Sequence, residues 1–460
     1  MTRLSNTPYD ALRVGMEARY ERVCMVDDLY VFANASGNLN PLHLPKEDGD
    51  CDGTPEALAP SLWLGALISA VLGNRLPGTG TLYQSQTLKF LGRAYAGDKV
   101  VAKVRVLEKL PGSVVRFKTW VERADGMLLV EGEAEVIAPQ KQQSFEAADV
   151  PGLTVRDHEH FDRLLELARP LPPIPTSVVA PETAVALAGA ILAAEQTLIV
   201  PILIGCQAKI EAAAAQINAD LSGYEIINVP DHDAAAARAV ALVHEGRARA
   251  VMKGDLHTDQ LLRAILKREG GLRTSRRLSH VFVMDVPGLE HLLLVTDAAI
   301  NIAPNLQTKV DIAQNAIYLA LALGITEPKV GVLSAVETVT PSIPSTLDAA
   351  ILSKMAERGQ IKGGLVDGPL AMDNAVDLNA ARTKGLTSLV AGRANILLAP
   401  NLEAGNMIAK ELTFLAHAQA GGLVMGAQVP VILTSRADDD KSRLASCAVA
   451  ALYADWAARR

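Results

Sequence analysis

The run Val429-Pro430-Val431-Ile432-Leu433-Thr434 leads directly into Ser435-Arg436-Ala437-Asp438-Asp439-Asp440. A hydroxyl, a permanent cation and three carboxylates therefore follow an apolar, β-branched segment within six residues. Such a segment reads as a buried strand, and open α/β sheets bind ligands at the carboxyl ends of their strands. A guanidinium beside a hydroxyl suits an oxyanion or phosphoryl group, and a neighbouring carboxylate can take a proton. The competing reading is a solvated turn into a helix over 445–458, with aspartates favoured near its positive end.

Other polar clusters follow strand-like runs. Lys253-Gly254-Asp255-Leu256-His257-Thr258 enters a helix carrying Arg263, and Arg273-Thr274-Ser275-Arg276-Arg277 packs three arginines into five residues. In an acidic chain that basic cluster suits phosphate groups, against the alternative of a solvated turn. Asp297 and Asn301, Ser334 to Glu337, Asp367 to Asn374, and Glu403 to Asn406 complete the set. GxxxxGK[ST], GxGxxG and Gly-x-Ser-x-Gly are all missing, so nucleoside triphosphate, dinucleotide and serine-hydrolase readings lack their motifs. Near the start, Phe32-Ala33-Asn34-Ala35-Ser36-Gly37-Asn38-Leu39-Asn40-Pro41-Leu42-His43 presents a histidine after a turn. Pro41 biases Asn40 towards an extended backbone. Taken alone, a histidine after a turn is more often a structural hydrogen bonder than a catalyst.

The 460 residues exceed one compact core, and 49% hydrophobic with 21% charged residues indicate folded protein. A net charge of −7 without a basic, aromatic-laced stretch argues against nucleic acid. Cys24, Cys51, Cys206 and Cys447 form no CxxC pair, which suggests reduced thiols in a cytoplasmic protein without a zinc site. The first ten residues lack a signal peptide's apolar core. The most apolar stretch, 186–206, is interrupted by Glu195, Gln196 and Pro201 and reads as a helix then a strand, not a membrane span.

The elements that must position these residues fall into two groups. Strand-like runs at 81–90, 99–108, 113–123 and 127–136, with one apolar helix at 60–72, predict an α+β domain over 1–149. Gln142-Gln143-Ser144, Pro151-Gly152 and the prolines at 170, 172, 173 and 175 predict a linker over 150–175 holding a short helix at 160–168. Beyond it, helices at 182–196, 207–219 and 233–245 alternate with short apolar strands at 197–204, 250–252, 281–284, 292–295, 329–333, 396–398 and 429–433. That alternation predicts a three-layer α/β/α domain over 176–460, in two lobes with the second over roughly 298–430.

The segment around His43 resembles the Ser-Gly-Asp-x-Asn-Pro-aliphatic-His motif of MaoC-like, hot-dog-fold enoyl-CoA hydratases. The likeness continues through 58–69, 76–83 and 95–98. In that family the motif's Asp and His activate water for addition to a 2-enoyl thioester. Here Asn38 occupies the Asp position, and Pro60-Ser61 stands where the family carries His-Gly. The resemblance thus implies a CoA-thioester-binding or dimer-forming module whose hydratase chemistry is impaired.

The second half resembles the phosphate acetyltransferase and phosphate butyryltransferase family over roughly 176–460. The motifs that carry it are Leu-Ser279-His280-Val-Phe-Val-Met, Thr296-Asp297-Ala-Ala-Ile-Asn301, Val-Asp367-Gly368-Pro369-Leu-Ala-Met-Asp373-Asn374-Ala, Pro400-Asn-Leu-Glu403-Ala-Gly405-Asn406-Met and Thr434-Ser435-Arg436-Ala-Asp438. It implies reversible exchange of an acyl group between CoA and inorganic phosphate. It also implies a homodimer, a fold like the isocitrate and isopropylmalate dehydrogenases, and no metal or organic cofactor beyond CoA. By the same likeness Arg436 holds phosphoryl oxygens, Ser435 donates to the developing oxyanion, and Asp439, Asp440 or Asp438 deprotonates the thiol. Arg263, Arg276, Arg277, Asn301, Asp367, Asn374, Glu403 and Asn406 are the candidate substrate- or phosphate-binding residues. Two other readings remain open at this level: a bifunctional enzyme with active hydratase, and an acyl-CoA or acyl-phosphate sensor.

Overall fold

Period-two alternation builds the first unit. Val100, Ala102, Val104 and Val106 point inward from the strand Lys99–Leu110, and Val115, Phe117, Thr119 and Val121 do so from Val114–Arg123. With Leu128–Ile137 they form an antiparallel sheet in the order Glu17–Val23, Lys99–Leu110, Val114–Arg123, Leu128–Ile137, Leu82–Gln86. Its apolar face wraps the helix Ser61–Asn74, whose Trp63, Leu64, Leu67, Ile68, Val71 and Leu72 are buried against it. This helix in an antiparallel sheet is the hot-dog arrangement. Among the described residues, 3–146, 158–433 and 439–460 of a computed structural model, the chain divides into compact units Met1–Val155 and Arg156–Arg460. The expected boundary near Asp149 lies outside the described residues.

Three features of this unit differ from the sequence reading. The expected strand at 81–90 is two strands, Leu82–Gln86 and Lys89–Phe90, both pairing with Leu128–Ile137. The break arises at Gly132, where a Cβ would stand 1.8 Å from the Thr87 carbonyl oxygen. A helix, Val26–Ser36, precedes the histidine turn and ends at Gly37, whose φ of 71° lets its N–H close on the Ala33 carbonyl. The strand Glu17–Val23 was hidden by its solvent-facing edge position.

In the second unit eleven described strands form one sheet. Its order is Glu225–Asn228, Ile199–Gly205, Ile174–Val179, Ala250–Lys253, Val431–Ile432, Gln419–Met425, Ser279–Asp285, Leu293–Thr296, Ile396–Leu398, Lys329–Leu333, Leu365–Leu370. The first five are parallel. Three successive antiparallel pairings follow, through Gln419–Met425, Ser279–Asp285 and Leu293–Thr296. The last four are again parallel to one another but reversed relative to the first five. Helices cover the faces, and Asp440–Ala458 buries Ala445, Cys447, Ala448, Val449 and Ala451 in the main core.

From His158 onward, the stretch expected as a linker is integral to this unit. Phe161, Leu164 and Ala168 of the helix Glu159–Ala168 join the main core, and the Phe161 N–H donates to Asp285 at 2.9 Å. Burial pushes the Asp285 carboxyl upward against that hydrogen bond. The proline-rich run leads straight into the central strand Ile174–Val179 rather than ending before it. Likewise the polar cluster from Asp367 to Asn374 begins inside an edge strand, Leu365–Leu370, where Gly368 and Pro369 are tolerated because only one side is paired.

Candidate functional site

The carboxyl ends of the five parallel strands line up at one edge of the sheet. Asn228 pairs with Gly205, Ile204 with Val179, Val179 with Lys253, and Met252 with Ile432. The helices Gln207–Ile217, His232–His244 and Thr258–Ile265 begin where three of these strands end. Their positive dipole ends favour anionic ligands at this edge, and side chains already take some of their first N–H groups, Asn228 that of Gln207 and Asp231 that of Ala234. Gly254 crosses it so closely that a Cβ would lie 2.4 Å from the Ala180 carbonyl oxygen.

Glu182 ties the edge together, and sequence reasoning missed it. Its side chain is 3% exposed and meets the Cys206 N–H at 2.8 Å, Lys209 at 2.9 Å and His232 Nε2 at 3.2 Å. Burial pushes its carboxyl upward, but the Cys206 N–H, Lys209 and His232 outweigh burial and hold it below the usual range. The signal was present as Pro181-Glu182 directly after an apolar run, but the neighbouring prolines masked the strand. A depressed carboxylate stabilises the fold above its unfolded pKa, near 4.3, and that contribution fades as pH falls through the folded value. Glu182→Gln is therefore expected to lower Tm at pH 7, with the gap to the native chain closing below about pH 4; thermal melts from pH 3 to 7 check this.

The predicted catalytic segment continues from this edge beyond Leu433. Ser435, Arg436 and Asp438 lie outside the described residues. Asp439 caps the final helix, its Oδ1 accepting the Ser442 N–H at 2.8 Å, and Asp440 pairs with Arg443 at 3.2 Å. Arg263 sits on the exposed face of Thr258–Ile265, 3.2 Å from Asp259 and 4.0 Å from Asp233. Exposed pairs of this kind are weak enough for a substrate anion to displace.

The other candidates gather at the reversed half of the sheet. Asp297, 2% exposed, accepts N–H groups from His280 at 3.3 Å, Ala299 at 3.0 Å, Ile300 at 3.1 Å and Asn301 at 3.0 Å. The Asn301 amide donates to Asp297 at 2.5 Å and to the Leu278 carbonyl at 2.8 Å. Asn406 donates to the Ala298 carbonyl at 3.2 Å, so both asparagines brace the same loop. Asn374 is buried and donates to Glu337 at 3.4 Å, and Glu337 also meets Lys384 at 3.2 Å. Glu403 is exposed in the first turn of Leu402–Phe414. Asp367 stands apart, accepting the Gly368 N–H at 2.9 Å in a cavity of about 490 Å³ with Ser353 and Glu357.

Arg276 and Arg277 do not lie at the Leu433 end of the sheet. They precede Ser279, which pairs with Met425, whereas Ile432 pairs with Leu423 opposite Val281. At about 3.3 Å per residue, Arg277 is roughly 13 Å before the level of Ile432. In the first unit His43 Nδ1 lies 2.8 Å from the Leu58 carbonyl, so the neutral ring carries its proton there and its lone pair on Nε2. Asn38 is exposed, with its Oδ1 accepting the Asn40 N–H at 3.3 Å.

A parallel strand-end edge ringed by helix N-termini and basic side chains is the architecture of an open α/β protein that binds anionic substrates. The chain belongs to the phosphate acetyl/butaryl transferase family, whose model matches residues 231–451. It is 60% identical over 294 residues to the phosphate acetyltransferase of Rhizobium meliloti, spanning 64% of this chain and 93% of that relative. A branched-chain phosphotransacylase from Enterococcus faecalis V583 superposes with a TM-score of 0.54 at 31% identity, covering 61% of this chain and 99% of that one. The R-hydratase PhaJ1 of Pseudomonas aeruginosa is 39% identical over 34% of this chain and 99% of its own, with a TM-score of 0.32. Among the described residues, no helix is long and apolar enough to cross a membrane.

Proposed function

We propose that the chain transfers a short acyl group reversibly between CoA and inorganic phosphate. The observation that carries this reading is the Ser435-Arg436 pair, two residues beyond Leu433, in a chain 60% identical to a phosphate acetyltransferase. In the direction of acyl phosphate formation, a phosphate oxygen attacks the thioester carbonyl. The C–O bond forms, the C–S bond breaks, and the departing thiolate takes a proton from the carboxyl group that acts as base in the reverse direction. In reverse, one of Asp438, Asp439 and Asp440 removes the thiol proton, and the thiolate attacks the acyl carbon as phosphate leaves.

Arg436 neutralises and orients the phosphoryl oxygens, Ser435 donates to the oxyanion, and Arg263 meets a further substrate phosphate. A thiol of pKa near 8.5 needs only a positioned base at neutral pH, so the reaction calls for no metal or organic cofactor. The reversed halves of the single sheet support the two-lobed isocitrate dehydrogenase-like fold, and a cytoplasmic homodimer belongs to the same proposal by family likeness. The test is CoA release from C2 to C6 acyl-CoAs with phosphate; no phosphate-dependent release from any of them overturns the assignment.

For the first unit the reading is an acyl-CoA-binding module with impaired hydratase chemistry. His43 has a free lone pair to accept a proton, but the Asn38 amide cannot share in proton transfer. A positioned acid or base contributes roughly 10²–10⁴-fold. Asn38→Asp is therefore expected to raise crotonyl-CoA hydration by at least about 10²-fold. Hydration that is already rapid in the native chain, lost in His43→Ala and not raised by Asn38→Asp, would show the unit to be a working hydratase.

A further inference from the structure

The basic cluster lines a pocket of about 430 Å³ that the acyl transfer scheme leaves unused. Arg273, Arg276, Arg277, Asn301, Gln307 and Asp311 supply its polar wall, and Leu266, Leu278 and Ile300 its apolar one. Against three guanidinium groups stands one carboxylate, Asp311, and it already accepts the Arg277 N–H at 3.1 Å. Among the described residues none of the three arginines has a carboxylate within ion-pair distance. Unneutralised like charges held this close repel, and an anion relieves the repulsion.

The pocket is built from beneath. Asn315, 0% exposed, accepts from Arg276 Nε at 2.8 Å and donates to the Arg277 carbonyl at 3.0 Å and to Ser279 Oγ at 2.9 Å. The Arg276 guanidinium lies 5.1 Å from the Tyr318 ring centre, a cation–π contact that fixes its plane. Its Nε engaged, Arg276 keeps both terminal nitrogens for a bidentate contact with an oxyanion. Gly426 allows this assembly, since a Cβ there would lie 2.4 Å from the Arg277 carbonyl oxygen and 3.1 Å from Asn315 Nδ2.

We propose that this pocket is a second anion site, separate from the acyl transfer centre, which binds a phosphorylated small organic molecule. Its volume falls in the range of small-molecule sites rather than that of a bare inorganic ion. The arginines take the phosphoryl group, the Asn301 amide oxygen accepts from a hydroxyl, Gln307 takes a hydroxyl or ring nitrogen, and Leu266, Leu278 and Ile300 take the apolar body. The position argues for separateness: the cluster precedes the strand that begins at Ser279, while Leu433, the last described residue before Ser435 in sequence, follows the opposite end of the sheet. The proposal rests on the acyl transfer reading only for the location of that centre.

Calorimetric titration of ADP, ribose 5-phosphate and inorganic phosphate into the full chain, with CoA held at saturation, tests it. CoA occupies the transfer centre, so binding that persists reports the pocket. ADP or ribose 5-phosphate is expected to bind saturably under CoA, more tightly than inorganic phosphate. Arg273→Ala/Arg276→Ala is expected to weaken that binding at least tenfold, and Arg277→Ala alone to weaken it measurably. Arg273 and Arg277 are exposed, so Arg277→Ala is expected to melt as the native chain does, and a cooperative melt confirms that the variant lacking Arg276, which loses its bond to Asn315, still folds. Binding abolished by CoA, or indifferent to all three substitutions, overturns the proposal. Loss of acyl transfer in the native chain would instead overturn the proposed function and leave this titration interpretable.

Discussion

Arg436→Ala is expected to lower phosphate-dependent CoA release from acetyl-CoA or butyryl-CoA by roughly 10²–10³-fold, the cost of removing one preorganised oxyanion donor. The substrates bring several negative charges to one point, and the reacting phosphate must approach a thioester carbonyl on which negative charge develops. A guanidinium offers two parallel donors to a phosphoryl face and cannot lose its charge. Arg436→Lys keeps the charge but loses the fork, so it is expected to recover only part of the rate. The loss should appear mainly in kcat if the contact tightens in the transition state, and mainly in the KM for phosphate if it serves binding alone. Steady-state kinetics with phosphate varied at saturating acyl-CoA separates the two. Unchanged turnover in Arg436→Ala would sink the assignment.

The largest stability effect is expected at Asp297. Asp297→Ala is expected to destabilise the second unit by roughly 3–5 kcal/mol, comparable to breaking a buried charged network. The side chain supplies acceptors for backbone N–H groups of His280, Ala299, Ile300 and Asn301 and for the Asn301 amide. Donors left buried without a partner cost about 1–3 kcal/mol each, and the loop can recover only some of them from water. Asp297→Asn keeps the shape but turns an NH₂ towards N–H donors, so a smaller though still clear loss is expected. Neighbouring His280 is buried, and burial pushes its imidazole down to about 4 against the pull of Asp297, so it stays neutral and brings no compensating charge to the loop. Denaturant unfolding of both variants reads the difference; a loss below 1 kcal/mol for alanine would mean that the loop refolds around other partners.

Alternation made much of the first unit legible: the strands over 99–137 and the helix Ser61–Asn74 carry their burial pattern in the order of their residues. Buried parallel strands such as Ala250–Lys253 and Lys329–Leu333 were legible as short apolar runs. Gln419–Met425 was not, because Gly421 and Gly422 look like a turn. In the fold Gly422 admits the His280 ring, whose Nε2 would lie 2.7 Å from a Cβ there, and that neighbour is 142 residues away in sequence. The same limit governs the site. Charge alone exposed the arginines at 273, 276 and 277, whereas Asn315 and Glu182 owe their roles to partners that only the fold brings near.

The strand order also bears on how such a chain is made. Val431–Ile432 and Gln419–Met425 lie between Ala250–Lys253 and Ser279–Asp285, so the two halves of the sheet are bridged by strands synthesised after nearly all the others. Until they emerge, two hydrogen-bonding edges face the solvent or a chaperone, the condition under which partly made chains associate wrongly. Ser435 and Arg436 follow within three and four residues of Ile432. Closure of the sheet and arrival of the proposed catalytic pair therefore come together during translation, and a transferase unit stopped before this point would lack both its keystone and its chemistry.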